Sequence, residues 1–176
     1  MKFLKVFSLV LLALVVLYLV VGIFLPKSAS LERNVEIHAP AGLVRDSIIE
    51  LYKDHLWPIW EHGDTSIVFT PLETANGYRW EGHKVAYGEC EYVIEADNVI
   101  RDVVRFRGQE VAQTIWTIEG SFPVLLHLQF TIRAGNNIGT RWTNLFIERM
   151  AGLEIDNILM RLRKKVEPEG IMNPTP

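Results

Sequence analysis

Cysteine is nearly absent. Cys90 is the single one in 176 residues, so no intramolecular disulfide holds this chain, and a lone thiol reads as a packed core group rather than a nucleophile. Neither sign of charge dominates, with 18 Lys and Arg against 21 Asp and Glu. That balance lacks the basic excess a nucleic-acid binder needs, and no nucleic-acid partner is expected. Internal repeats and low-complexity tracts are missing, which excludes a solenoid and a biased linker protein. No G-x-S-x-G elbow occurs, so the serine-hydrolase arrangement has no sequence support. With 49% apolar residues the chain is not a disordered tail.

What is present in excess is one hydrophobic run. Val6 to Leu25 reads VFSLVLLALVVLYLVVGIFL, 20 positions without a charge. At about 1.5 Å per residue a helix of this length covers about 30 Å, the thickness of a bilayer's hydrocarbon core, and predicts a membrane anchor over residues 6–25 behind a short tail, 1–5. The alternatives are a buried soluble helix and a cleaved secretory signal, with Lys2 and Lys5 as its basic start and Ser28-Ala29-Ser30 as its small residues; such apolar cores usually run only about 7–15 residues. The positive-inside count is nearly balanced, Lys2 and Lys5 against Lys27 and Arg33. A short charged N-terminus stays in the cytoplasm more readily than it crosses. The expected product is a single-pass membrane protein with an extracytoplasmic domain, on the periplasmic face if bacterial.

Residues 26–30 read as a linker, residues 31–167 as one domain and residues 168–176 as a disordered tail. Of the 18 basic residues, Lys2, Lys5 and Lys27 belong to the anchor and its flanks, so 15 face all 21 acidic ones in the domain. Charge alone would not draw it to anionic lipid.

Leu31 to His38 alternates as a half-buried strand does, although Arg33 interrupts its apolar face. Ala39-Pro40 then opens a helix with Leu43, Val44, Ile48 and Leu51 on one stripe, Pro40 costing nothing where its missing N–H has no partner. A second short helix is expected over Tyr52 to Trp60, interrupted by Pro58. Strands are expected at Ile67–Pro71, Tyr78–His83, Glu89–Glu95, Ile100–Arg107, Val111–Ile118, Val124–Arg133 and Thr140–Ile147. Asn76-Gly77, Gly88, Gly108 and Gly135-Asn136-Asn137 divide them. Links this short force antiparallel neighbours. Met150 to Val166 predicts a long helix with Ala151, Ile155, Ile158, Leu159, Leu162 and Val166 on one face and basic residues at its negative pole. The class is therefore α+β, a curved antiparallel sheet packed on a C-terminal helix, and an incomplete fit between them would leave an apolar cavity.

Val35-Glu-Ile-His-Ala-Pro40, Trp57-Pro-Ile-Trp60, Tyr78-Arg-Trp-Glu-Gly82 with Gly88-Glu-Cys-Glu-Tyr92, and Met150-Ala-Gly152 occur in an order that resembles the SRPBCC superfamily. That superfamily includes START lipid-transfer domains, Bet v 1-like proteins, polyketide cyclases and the activator of the Hsp90 ATPase. The resemblance covers about residues 31–167 and implies the helix-grip fold and a cavity for lipids or other hydrophobic small molecules. Two departures stand out. The count reaches eight candidate strands where the family has seven, the extra one around Val111 to Ile118, and the stretch before the final helix is short. Fold analogy does not choose among the superfamily's carriers, enzymes and co-chaperones.

Among candidate groups, His55 and His62 lie seven apart with Asp54, Glu61 and Asp64 nearby, which is weak metal-ligand spacing; no metal or cofactor is expected. Glu89 and Glu91 share one strand face opposite Cys90 and Tyr92, as a solvated sheet surface would, unless one carboxyl turns inward to serve as an acid or base. The residues expected to line the cavity are Trp57, Trp60, Trp80, Tyr92, Phe106, Trp116 and Trp142, with Leu153 and Asn157 on the covering helix. Core packing is the plainer explanation for most of the tryptophans. Three readings follow: a membrane-anchored binding or carrier domain for a lipid or hydrophobic small molecule; a cyclase- or hydrolase-type enzyme; and a non-catalytic assembly or co-chaperone-like factor. An apolar pocket favours the first, convergent ionisable groups the second, and a solid core the third.

Overall fold

The computed structural model describes residues 2–57, 64–73 and 76–167. Helix α1, Lys2–Phe24, carries the apolar run and projects most of its side chains outward. After Leu25-Pro26-Lys27 the chain enters β1, Ser28–Ile37, at once. Ser28, Ala29 and Ser30 pair with Arg133, Ile132 and Thr131, so the stretch read as a linker is mostly strand. The in-and-out alternation reaches back through Ala29, and Ser30 Oγ meets Thr131 Oγ1 at 2.9 Å on the outer face.

Helix α2, Ala41–Lys53, buries Val44, Ser47, Ile48, Leu51 and Tyr52. It does not continue toward Trp57. His55 takes a left-handed φ of 55°, its N–H reaches the Tyr52 carbonyl, and the Leu56 N–H reaches that of Leu51, which is the Schellman termination. The expected second helix is thus replaced by a capped helix end over residues 54–57, and its remainder, with Trp60, lies outside the described residues.

Strands β2 (Val68–Pro71), β3 (Gly77–Glu81), β4 (Gly88–Ala96), β5 (Val99–Phe106), β6 (Gln109–Glu119) and β7 (Val124–Arg133) follow as antiparallel neighbours. With β1 on the far side of β7 they form a seven-stranded sheet ordered β1-β7-β6-β5-β4-β3-β2. Its inner face carries Leu31, Tyr78, Trp80, Cys90, Ile100, Val104, Trp116, Leu126, Leu128 and Phe130, all buried. Gly88 is required by packing: a Cβ there would meet the Trp80 ring at 2.4 Å.

The strand in excess is not Val111–Ile118, which lies within β6, but Thr140–Ile147, which is helix and turn. Helix α3, Ile138–Asn144, starts where the Asn137 side chain accepts from the Thr140 N–H at 3.1 Å. That cap outweighs the β preference of Trp142, Phe146 and Ile147. A π-helical turn, Glu148–Gly152, leads into α4, Leu153–Val166, whose Ile155, Ile158, Leu159 and Leu162 cover the inner face of the sheet. Arg33 turns toward these helices: its Nε donates to Asp156 Oδ1 at 2.7 Å, and its guanidinium also pairs with Glu148. The break in β1's apolar alternation is therefore the ion pair that fastens β1 to α4.

Candidate functional site

The centre of the domain is a carboxyl. Asp102 follows Ile100 and precedes Val104 on the inward face of β5 and is 0% exposed. Tyr52 Oη donates to its Oδ2 at 2.6 Å and Trp57 Nε1 to the same oxygen at 2.7 Å, while the Thr114 backbone N–H donates to Oδ1 at 3.0 Å. Trp116 Nε1 in turn donates to Tyr52 Oη at 2.8 Å, and the Tyr78 hydroxyl donates to the Trp57 carbonyl. Burial pushes the Asp102 pKa up to about 6, against the three donors, which favour the charged form. The Tyr52 hydroxyl is pushed well above its ordinary value by burial and by the neighbouring Asp102. This network ties α2, the chain after it, β5 and β6 to one point.

Because these polar tips are spent on one another, the rings around them fill the interior. Trp57, Trp80 and Trp116 are fully buried, Trp57 lying edge-on to Trp116 with centroids 5.6 Å apart and to Phe130 at 5.9 Å. Among the described residues, Trp57, Trp80 and Trp116 pack against their neighbours beneath α4. Two hollows border this packing. One, of about 240 Å³, lies at the end of α2 against β2, β3 and β4 and is lined by Tyr52, Lys53, His55, Pro71, Gly77, Tyr78 and Tyr92. Tyr52 and Tyr92 stack at 4.6 Å, and His55 lies flat on Phe69 at 4.4 Å and edge-on to Tyr78 at 4.6 Å. Burial lowers the His55 pKa, only partly countered by Asp54. The other hollow, of about 100 Å³, lies between α4 and the end of α2, with Leu51, Leu56, Ile158 and Leu162 as walls and Asp54, Glu154, Asn157, Arg161 and Lys165 around them.

The residues expected to line a cavity are thus divided. Trp57, Trp80 and Trp116 are core; Phe106 packs edge-on to Trp80 at 5.5 Å; Tyr92 faces the larger hollow and Asn157 the smaller. Trp142 and Leu153 are elsewhere. Trp142 is on α3, stacked on Tyr18 of α1 at 5.1 Å, and Leu153 is 69% exposed. Trp60, and of the weak metal constellation Glu61 and His62, lie outside the described residues. Glu89 and Glu91 stay at the partly exposed face, where Glu91 accepts from Arg105 at 2.9 Å. Asp102 was missed although its signal was present: period-two alternation puts it between Ile100 and Val104, and a charge on an apolar strand face is informative. Tyr52 was readable in the same way, four residues after Ile48 on the stripe of Val44, Ile48 and Leu51.

The domain has the helix-grip fold of START-like proteins: a curved seven-stranded antiparallel sheet with a C-terminal helix against it. No family model matches the chain, and no curated protein matches its sequence. Solved structures do resemble it. The di-domain aromatase/cyclase BexL from the BE-7585A biosynthetic pathway superposes with a TM-score of 0.55 at 15% identity, covering 81% of this chain and 51% of that one. The chain therefore spans about half the length of that di-domain protein. The ZhuI aromatase/cyclase from Streptomyces sp. R1128 gives 0.53 at 14% identity, covering 81% and 98%. A START superfamily protein from Mycobacterium smegmatis gives 0.51 at 13%, covering 78% and 96%.

Proposed function

We propose that this protein is a membrane-anchored member of the SRPBCC superfamily whose domain binds a hydrophobic small molecule, or one end of a lipid, in the hollow at the end of α2. The observation that carries this reading is the aromatic wall of that hollow, about 240 Å³ bounded by Tyr52, Tyr78, Tyr92 and His55. A dry cavity of about 150 Å³ accommodates benzene, so a substituted ring or a short acyl end fits this one. The Tyr52 hydroxyl is spent inward on Asp102, which leaves ring faces together with Lys53 and His55 as the recognition surface. The aromatase/cyclases among the solved neighbours favour a ring-bearing ligand. Binding is favoured over catalysis because both Asp102 oxygens are occupied by protein donors and the carboxyl lies behind Tyr52.

The anchor reading is supported by the way α1 is built into the domain. Arg141 donates to the Ile23 carbonyl at 2.8 Å, and cleavage at Ser28-Ala29-Ser30 would remove both that acceptor and the start of β1. On this reading α1 crosses the bilayer with a cytoplasmic N-terminus and an extracytoplasmic domain. The burial of Trp57, Trp80 and Trp116 favours a second reading, a non-catalytic assembly factor that works through its surface.

Native mass spectrometry of the full chain from nanodiscs separates the two. Binding predicts a co-purified molecule, or a saturable one-to-one adduct with 1-naphthol weakened about fivefold by Tyr92→Ala, the loss of about 1 kcal/mol of ring contact. A wild-type chain that holds no molecule and forms no adduct overturns it and leaves the assembly role.

A further inference from the structure

Past the end of α3, the face that points away from the domain is apolar. Leu145, Phe146, Met150 and Leu153 are 52%, 54%, 63% and 69% exposed. They follow Trp142 through the turn after α3 and the π-helical turn to the start of α4. The opposite face, with Asn144, Ile147, Ala151 and Ile155, is buried in the domain. One end of the exposed stripe is already joined to the apolar helix. Trp142 stacks on Tyr18 with rings 5.1 Å apart and 8° from parallel, and a Cβ on Gly22 would meet Ile138 at 2.3 Å and the Trp142 indole nitrogen at 3.0 Å. The absence of a side chain at Gly22 is what lets α3 lie against the last two turns of α1.

This contact fixes a depth. Tyr18 stands six residues before the end of α1, about 9 Å along the helix axis. A bilayer crossed by α1 therefore reaches the Trp142 ring, from which the exposed apolar side chains continue. We infer that the segment from Trp142 to Leu153 is a second membrane contact, seated in the interfacial layer with its apolar face toward the acyl chains. The inference rests on the anchor reading. The charges nearby suit that placement. The Arg141 guanidinium is occupied by the Ile23 and Gly135 carbonyls, Glu148 is held by Arg33, and Arg149 and Lys27 are exposed cations of the kind that meets lipid phosphates. Tryptophan at such a boundary is the expected aromatic anchor.

The test uses the full chain in phosphatidylcholine vesicles with doxyl-labelled lipids. The single variants Leu12→Cys, Phe146→Cys, Leu153→Cys and Asp97→Cys are labelled with an environment-sensitive fluorophore. The buried Cys90 is expected to stay unlabelled, and the parent chain serves as the blank. Asp97, in the turn between β4 and β5 at the opposite end of the sheet, reports water. The expected result is that labels at 146 and 153 lose most of their emission to shallow doxyl lipid while the label at 97 loses none. Labels at 146 and 153 that respond only to aqueous iodide, with Leu12 quenched by deep doxyl lipid, would overturn the inference and leave the anchor standing. Shielding of 146 and 153 from both quenchers would assign the stripe to a second copy of the chain, which also overturns it. A Leu12 label untouched by lipid would remove the anchor, and this inference with it.

Discussion

Asp102→Asn gives the sharpest test of the interior described above. The carboxyl titrates near 6 in the folded domain against an ordinary 3.8. A difference of about two units corresponds to about 3 kcal/mol between the two protonation states. The fold prefers the protonated form, so this group's contribution is complete below pH 3.8 and is lost as pH rises through about 6. In a chain of this size about 3 kcal/mol is roughly 6–12 °C in Tm. Asparagine does not titrate, but its amide offers one acceptor where Asp102 uses two oxygens. One of Tyr52, Trp57 and the Thr114 N–H must then face an NH₂ group, a mismatch of about 1–3 kcal/mol. Thermal melts of the detergent-solubilised chain, followed by tryptophan fluorescence from pH 4 to 8, would show Asp102→Asn less stable than wild type at pH 4. The gap should shrink or reverse by pH 7. Tyr52→Phe removes a donor to the charged form and should move the wild-type transition to higher pH. Parallel Tm curves for wild type and Asp102→Asn across the whole range would refute the reasoning.

Gly88→Ala forces a methyl against the Trp80 ring and is expected to cost about 1–3 kcal/mol in denaturant unfolding, with little change on replacing the exposed Gly108 turn by Asn. Arg33→Gln removes the pairs to Asp156 and Glu148; because the side chain is partly exposed the loss should be about 1 kcal/mol and should fade in high salt, which paired melts at low and high ionic strength would reveal. Arg141→Ala leaves the Ile23 and Gly135 carbonyls without their donor, and trypsin should then cut after the exposed Lys27 faster than in wild type, with the core fragment otherwise stable. Cys90, fully buried, should react with a thiol reagent only at the rate of unfolding, a comparison made by measuring both rates in the same denaturant series.

Periodicity made most of the fold legible. Alternation located β1 through β7 to within a few residues, because each strand has one buried and one exposed face. The errors share a cause: a short polar group deciding a local structure against the bulk pattern. Asn137 caps a helix where Trp142, Phe146 and Ile147 suggest a strand, and a left-handed His55 ends α2 where a second short helix is expected over Tyr52 to Trp60. At the site, a large ring on an inward face reads identically whether it lines a cavity or fills it. For Trp57 and Trp116 the difference lay in Asp102, which draws their N–H groups inward, one directly and one through Tyr52. A pattern that treats every tryptophan as apolar wall overlooks that donor.

The pairing of β1 with β7 also sets an order of events in synthesis. Ser30 meets Thr131, 101 residues later in the chain. At about 5–20 residues per second a ribosome needs roughly 5–20 s to supply that partner. The hairpins from β2 to β6 close over short loops in the meantime, whereas the first strand emerges early and must wait with both edges unsatisfied. Such a strand is open to pairing with other nascent chains. Its charges, Glu32, Arg33 and Glu36, oppose that association until the last hairpin arrives.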